Sequence, residues 1–191
     1  GVRRARPLRR RRRMEARPPL VAMRDRGEVL EVLVVDDTSS DDTPGVARSL
    51  GATVMPSGGR LGPGAARNIA AKEAKGTILW FIDADVVVHE DAARVMLEGF
   101  DDPDVVGVFG SYDDRPPAQN FLSQYKNLVH HYYHQRARKE ASTFWSGCGA
   151  IRKEAFLQQG GFDIEMFNRP SIEDIELGYR LIEAGGKLRL L

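Results

Sequence analysis

The order of elements along this chain predicts an α/β fold, a mostly parallel sheet with helices on both faces. Three observations point to it. Apolar, β-branched runs alternate with helical stretches from Val29 to Phe109, and such alternation implies parallel strands joined by crossovers. The run Ile78-Leu-Trp-Phe-Ile82 is apolar at every position, as a strand covered on both faces must be. With 191 residues, 42% of them apolar and 29% charged, the chain is long enough for one domain with a proper core and too short for two.

The first 19 residues stand apart. Residues 3–13 hold eight arginines, so the remainder is acidic on balance although the net charge is +1. Like charges repel and nothing there can be buried, which predicts a disordered tail over 1–19. No aromatic residue interleaves the arginines to stack on bases, so no nucleic-acid partner is expected. An anionic membrane surface is the functional alternative to a solvated tail. No apolar run approaches a membrane span, and no apolar stretch follows the basic N-terminus as in a secretory signal. Cys148 is the only cysteine. A reducing, cytoplasmic setting is the expectation, with any membrane contact peripheral at the inner face.

The domain proper is expected over 20–191. Leu20 to Arg26 reads as the end of a helix closed by Gly27. Val29 to Val35 reads as a buried strand. It runs into Asp36-Asp37-Thr-Ser-Ser-Asp-Asp-Thr43, whose short polar side chains can bond the backbone and cap a helix with Pro44 in its first turn. Ala52 to Met55 is a short strand. The loop Pro56-Ser-Gly-Gly-Arg60-Leu-Gly-Pro-Gly64 leads into a helix over Ala65 to Lys75, which Gly76 stops.

The strand that follows ends in Asp83-Ala84-Asp85. Burying a carboxylate costs several kcal/mol unless a charge or a metal compensates it. In open α/β sheets ligands bind where the carboxyl ends of the strands emerge. Two carboxylates there, with a small residue between them, suit a hard divalent cation carrying phosphate oxygens. A helix over His89 to Gly99 and a strand over Val105 to Phe109 complete the alternation.

Gln119 to about Lys139 is the longest helical pattern, and Phe121, Leu122, Tyr125, Leu128, Val129, Tyr132 and Tyr133 make one apolar face of it. His130, His131 and His134 lie beside that face. With no glutamate placed as a His-Glu-x-x-His site requires, they read as partly exposed helix residues near an acceptor rather than as zinc ligands. Thr143 to Ile151 reads as a strand whose glycines let a ligand or another backbone come close. Cys148 within it reads as a small core residue. Lys153 to Gln159 is helical, and Gly160-Gly161-Phe162-Asp163 turns the chain. Ser171 to Ile182 is a helix with Ser171 as N-cap and Asp174 at its third position, a capping-box pattern. Lys187 to Leu191 starts a last strand.

Taken in order, these residues resemble a family-2 glycosyltransferase of the GT-A fold, a Rossmann-like mixed, mostly parallel sheet with helices on both faces. The resemblance runs from about Val29 to Leu191. It rests on Val-Val-Asp36-Asp37-Thr-Ser-Ser-Asp-Asp-Thr, Gly64-Ala-Ala-Arg67-Asn68, Asp83-Ala-Asp85, Trp145-Ser-Gly147-Cys-Gly with Gly-Gly-Phe-Asp after it, and Glu173-Asp174. Each element is short, but five in one register are hard to obtain by chance. The family's opening strand, with its nucleotide-holding turn, has no counterpart here, so the catalytic domain is expected to be incomplete.

The resemblance implies a nucleotide-sugar donor, a UDP-sugar being favoured, a Mg2+ or Mn2+ ion and an inverting transfer to an acceptor hydroxyl on a saccharide, a lipid-linked molecule or a protein. By position, Asp37 would bond the base with Asp36 beside it, and Arg60 or Arg67 would face the diphosphate. Asp85 with Asp83 would hold the metal. Asp174 would be the general base, Glu173 its less suited neighbour, and Trp145 and Gly147 would line the sugar pocket. Two alternatives stand beside this reading. One is an inactive homologue that only binds nucleotide. The other is a haloacid-dehalogenase-like phosphohydrolase in which Asp83 is phosphorylated and Asp85 is acid and base; that motif normally opens its domain, whereas here strands precede it.

Overall fold

The computed structural model describes residues 17–116, 120–167 and 171–191, with Arg17 and Pro18 as backbone only. The expected tail therefore lies outside the described residues up to Ala16. From Arg17 the chain is helical: α1 spans Arg17–Asp25. Gly27, at φ +78°, closes it by donating its N–H to Arg24 O at 2.9 Å, and Met23 is wholly buried against Val88 and Ala93.

Strand β1 covers Leu33–Asp36 and pairs in parallel with β2, Thr53–Pro56, through helix α2, Thr43–Ser49. The strand expected from Val29 begins four residues later. Its single ladder, to β2, starts at Leu33↔Thr53, and the residues before it have no strand to pair with. Helix α3, Pro63–Glu73, packs against β1 and leads to β3, Ile78–Ile82. Then come α4, Ala92–Glu98, β4, Val105–Phe109, α5, Phe121–Arg136, β5, Glu140–Ala141, β6, Cys148–Arg152, α6, Lys153–Gln158, α7, Glu173–Glu183, and β7, Lys187–Leu190.

The larger sheet has the order β3-β6-β4-β7-β5. β6 lies antiparallel between β3 and β4, β7 is parallel to β4, and β5 is antiparallel to β7. So β3, β4 and β7 run one way, β6 and β5 the other, and the sheet is mixed. Among the described residues β1 and β3 are each paired on one side only.

Alternation along β3 divides the core. Leu79 and Phe81 face a cluster with Phe144, Phe156, Phe162, Leu177 and Leu181. Within it the rings of Phe81, Phe156 and Phe162 lie 5.3–5.5 Å apart in tilted and edge-on pairs, the arrangement that ring quadrupoles favour. Ile78 and Trp80 face the opposite layer with Met96, Phe100 and Val108. Both faces of β3 are covered, as its uninterrupted apolar run requires.

Two expected elements are different in the structure. Thr143 to Gly147 is not strand: β6 starts at Cys148, and the preceding loop folds back over it. A Cβ on Gly149 would lie 2.3 Å from Trp145 O and 2.7 Å from the Phe144 ring. That glycine admits the approach of a backbone, not of a ligand. The capping box at Ser171 does not form either. Helix α7 starts at Glu173 with Ile172 as N-cap and no side-chain cap: Asp174 bonds to Ser146 instead, and it is Glu173 that accepts the Ser171 N–H.

Candidate active site

Because β6 is antiparallel to β3, its first residue sits beside the last residue of β3, in the pairing Ile82↔Cys148. The carboxyl end of β3 and the loop entering β6 are therefore neighbours. Asp83 donates its backbone N–H to Gly147 O at 2.9 Å. A Cβ on Gly147 would lie 3.4 Å from Asp83 Oδ2, so the missing side chain keeps that oxygen open. The other oxygen, Oδ1, accepts from Arg67 Nη2 at 2.6 Å.

Arg67 comes from the second turn of α3 and reaches two carboxylates. Its Nη1 lies 3.7 Å from Glu173 Oε1, and its guanidinium sits over the Phe162 ring, 5.5 Å from the centroid. Glu173 is only 7% exposed. It turns back to accept the Ser171 N–H at 2.8 Å, and a buried carboxylate of this kind persists only when paired and hydrogen-bonded. Asn68, next to Arg67, exchanges two hydrogen bonds with the backbone of Phe162, at 2.8 and 2.9 Å. The Gly-Gly-Phe turn is thereby fixed to α3.

Asp174 is held by the residue next to Gly147. Its Oδ2 accepts from the N–H and the Oγ of Ser146, at 3.0 and 3.2 Å, and its Oδ1 accepts from Ile175 N–H at 2.9 Å. Two consecutive residues, Ser146 and Gly147, thus hold Asp174 on one side and Asp83 on the other. Asp174 stands in the first turn of α7, where the helix dipole favours negative charge.

Trp145 opens this segment toward α5. Its ring meets His134 edge-on at 5.1 Å and His130 at 5.7 Å, while Tyr112 stacks on His130 at 5.0 Å. Burial pushes the Tyr112 hydroxyl pKa up, and the charges of Asp83 and Asp85 push it further, which places that ring at the same strand end. Burial also pulls the His134 pKa down, with His130 and His131 adding to it. Burial raises the Cys148 thiol, in keeping with a small core residue.

The β1 end carries the remaining residues. Asp36 Oδ1 accepts from Ser39 N–H at 3.3 Å, and Thr38 takes the positive φ of +61° needed to turn the chain. Asp37 accepts from the N–H groups of Leu61 and Gly62, at 2.8 and 2.9 Å. Burial raises its pKa, but these amides and the charge of Arg60 outweigh that and hold it below the usual carboxylate range. Arg60 itself is exposed.

Asp85 is exposed and makes no hydrogen bond or ion pair among the described residues. No three His, Cys, Asp or Glu side chains among them converge on a metal position. The acidic pair therefore fits an ion that takes most of its ligands from phosphate and water, as Mg2+ and Mn2+ do, and does not fit an all-protein cage.

Of the residues expected in the site, Arg67, Asp83, Gly147 and Glu173 are joined by direct contacts, and Asp174 joins them through Ser146, with Trp145 adjoining. Asp36, Asp37 and Arg60 form a second group at the end of β1, and Asp85 stands free. Ser146 and Tyr112 were not anticipated. Position was the available signal: Ser146 lies between two expected residues, and Tyr112 lies three residues past the carboxyl end of β4.

The chain was then compared with known proteins. The model of glycosyl transferase family 2 matches residues 20–174. The pre-mycofactocin glycosyltransferase of Mycobacterium tuberculosis is 32% identical over 173 residues, covering 84% of this chain and 35% of that protein. The succinoglycan biosynthesis protein ExoO of Rhizobium meliloti is 34% identical over 83 residues, 42% of this chain and 24% of that one. The chain thus spans about a third or less of the length of these curated relatives. Among solved structures, the mannosyltransferase PcManGT of Pyrobaculum calidifontis, in complex with GDP-Man and Mn2+, superposes with a TM-score of 0.63 at 24% identity, over 84% of this chain and 45% of that one. S. aureus TarS 1-349 gives 0.66 at 20% identity, over 95% and 54%. These likenesses carry the fold, and the sequence match carries the family, which leaves the dehalogenase-like alternative without support. With the Asp83-Ala-Asp85 strand end, the tethered Asp174 and a family match over most of its length, this chain belongs to glycosyl transferase family 2.

Proposed function

We propose that the chain is the catalytic core of an inverting glycosyltransferase, moving a sugar from a nucleotide-diphosphate sugar to an acceptor hydroxyl. One observation carries the reading: the adjacent residues Ser146 and Gly147 bond the Asp174 carboxylate and the Asp83 backbone, bringing both acidic residues to a single short segment. A proton acceptor and a diphosphate-binding carboxylate are thereby set at a fixed offset, as a displacement with base and leaving group on opposite sides requires.

In this reading Asp37 and Asp36 receive the base of the nucleotide at the end of β1, where oxygens of both carboxylates remain open beyond their amide bonds. Arg67 is committed to Asp83 and Glu173. Arg60, exposed on the glycine-rich loop, is therefore the arginine for the diphosphate. Asp85 and the open Oδ2 of Asp83 are the residues that would hold Mg2+ or Mn2+, and such an ion would neutralise charge on the departing nucleoside diphosphate as a Lewis acid. Asp174 takes the proton of the acceptor hydroxyl as its oxygen attacks the anomeric carbon. The bond to the diphosphate oxygen breaks, and the configuration inverts. Ser146 keeps the second carboxylate oxygen oriented, and Trp145 and Gly147 border the sugar.

The donor class is supported by the neighbours, one bound to GDP-Man and another, S. aureus TarS 1-349, bound to UDP-GlcNAc. Calorimetric titration with UDP and with GDP, in Mn2+ and in EDTA, tests it. Binding of one nucleotide in Mn2+ that EDTA abolishes is the expected result. Failure of both to bind would overturn the reading.

A further inference from the structure

Helix α5 is amphipathic in the reverse of the usual sense. An apolar stripe ordinarily packs on the core and the polar face meets water. Here no residue of α5 is buried, and its polar face is the attached one. His131 Nδ1 lies 2.6 Å from Tyr112 O, Gln135 Nε2 donates to Ser111 Oγ at 3.2 Å, and Asn127 donates to Asp113 O. On the same side His130 stacks on Tyr112 and His134 meets Trp145 edge-on. The opposite stripe, Phe121, Tyr125, Leu128, Tyr132 and Tyr133, lines an open groove of ≈ 430 Å³, with Phe121 80% and Tyr133 66% exposed.

We infer that this stripe seats the protein on an anionic bilayer surface. The charge and the kind of aromatic residue select that occupant. No acidic residue occurs from Arg115 to Lys139, whereas Lys126, Arg136, Arg138 and Lys139 are exposed. Anionic headgroups attract such a set. Three of the exposed aromatics are tyrosines, whose hydroxyls suit the wet headgroup layer while the rings enter the acyl boundary. A dry protein interface would have to provide a partner for each hydroxyl. The Arg136 guanidinium lies over the Tyr132 ring, 4.7 Å from its centroid, a cation placed to reach phosphate while its stem covers apolar surface. No helix among the described residues is long and apolar enough to cross a membrane; the stripe of α5 would lie along the surface. The inference rests on the surface of α5 and goes beyond the transfer reading.

Flotation of the full chain with phosphatidylcholine vesicles, with and without an equal part of phosphatidylglycerol, tests it. Binding to the anionic vesicles alone, weakened by salt, is expected. Phe121→Ser with Tyr125→Ser, and separately Tyr132→Ser with Tyr133→Ser, should each weaken it at least about tenfold, with unchanged circular dichroism. Lys126→Glu with Arg136→Glu should do the same without removing any apolar contact. Absence of binding would overturn the inference. So would equal binding by the wild type and all three variants, which would assign it to the arginine run at residues 3–13. Self-association without vesicle binding, lost in the aromatic variants, would assign the stripe to a second copy and overturn it too.

Discussion

At the end of β1, Asp37 is held by two loop amides and Arg60 stands in solvent. At the end of β3, Arg67 is paired with Asp83 and Glu173, Asp174 is bonded to Ser146, and the Asp83 N–H donates to Gly147 O, so two helices, a strand end and a loop are tied together. The first region has carboxylates and open backbone but few links between elements. The second is cross-linked before any ligand arrives. Under the proposed function the difference has a reason: a nucleotide can order the loop that binds it, but a proton acceptor has to be in place when the acceptor hydroxyl attacks.

The contrast can be broken most sharply at Arg67. Arg67→Met leaves the buried Glu173 without its cation, at a cost of about 3 kcal/mol in urea unfolding. Adding Glu173→Gln should restore most of it; a double variant no more stable than the single one would show that the pair is not what Arg67 stabilises. Next comes Gly178, in α7. A Cβ there would lie 2.5 Å from Phe144 N, so Gly178→Ala should force α7 off the 143–147 loop and cost about 2 kcal/mol. An unchanged melting temperature would mean that this packing gives way easily.

Ser146→Ala removes one of the two Ser146 bonds to Asp174 and keeps the backbone one. A loss of about 1 kcal/mol, roughly fivefold in donor turnover with unchanged nucleotide affinity, is expected. A matching loss of affinity would place Ser146 at the donor instead. The smallest effect belongs to the β1 end. The folded pKa of Asp37 lies below its unfolded value of about 3.9. Its stabilisation is therefore fully present above that value and is lost as pH falls through the lower folded pKa. The gap in urea midpoint between wild type and Asp37→Asn should close as pH is lowered from about 6 to about 2.5. A constant gap would mean that the amide bonds do not depend on the charge.

Much of this could be read from the sequence where the signal is local. The buried strand ending in Asp83, the helix stop at Gly27 and the register of five short motifs each depend on a few neighbouring residues. What could not be read depends on distant partners. The direction of β6 is set by its place between β3 and β4, and nothing within Cys148–Arg152 encodes it. The stretch before β6 has strand-like residues, but the Phe144–Trp145 backbone folds over Gly149 and cannot pair. The capping box at Ser171 does not form because Asp174 is drawn to Ser146, remote in sequence, and Glu173 takes the Ser171 N–H instead. The apolar stripe of α5 was plain from its spacing, yet spacing does not say which way a helix faces.

The most direct test of the divided site measures nucleotide binding and donor turnover, with water as acceptor, on Asp85→Ala and Asp174→Asn side by side. Asp85→Ala is predicted to lose Mn2+-dependent nucleotide binding. Asp174→Asn is predicted to bind nucleotide within about twofold of wild type and to lose turnover by about a thousandfold, the range of a removed general base. Undiminished turnover in Asp174→Asn, or Mn2+-dependent binding that survives in Asp85→Ala, would contradict the account.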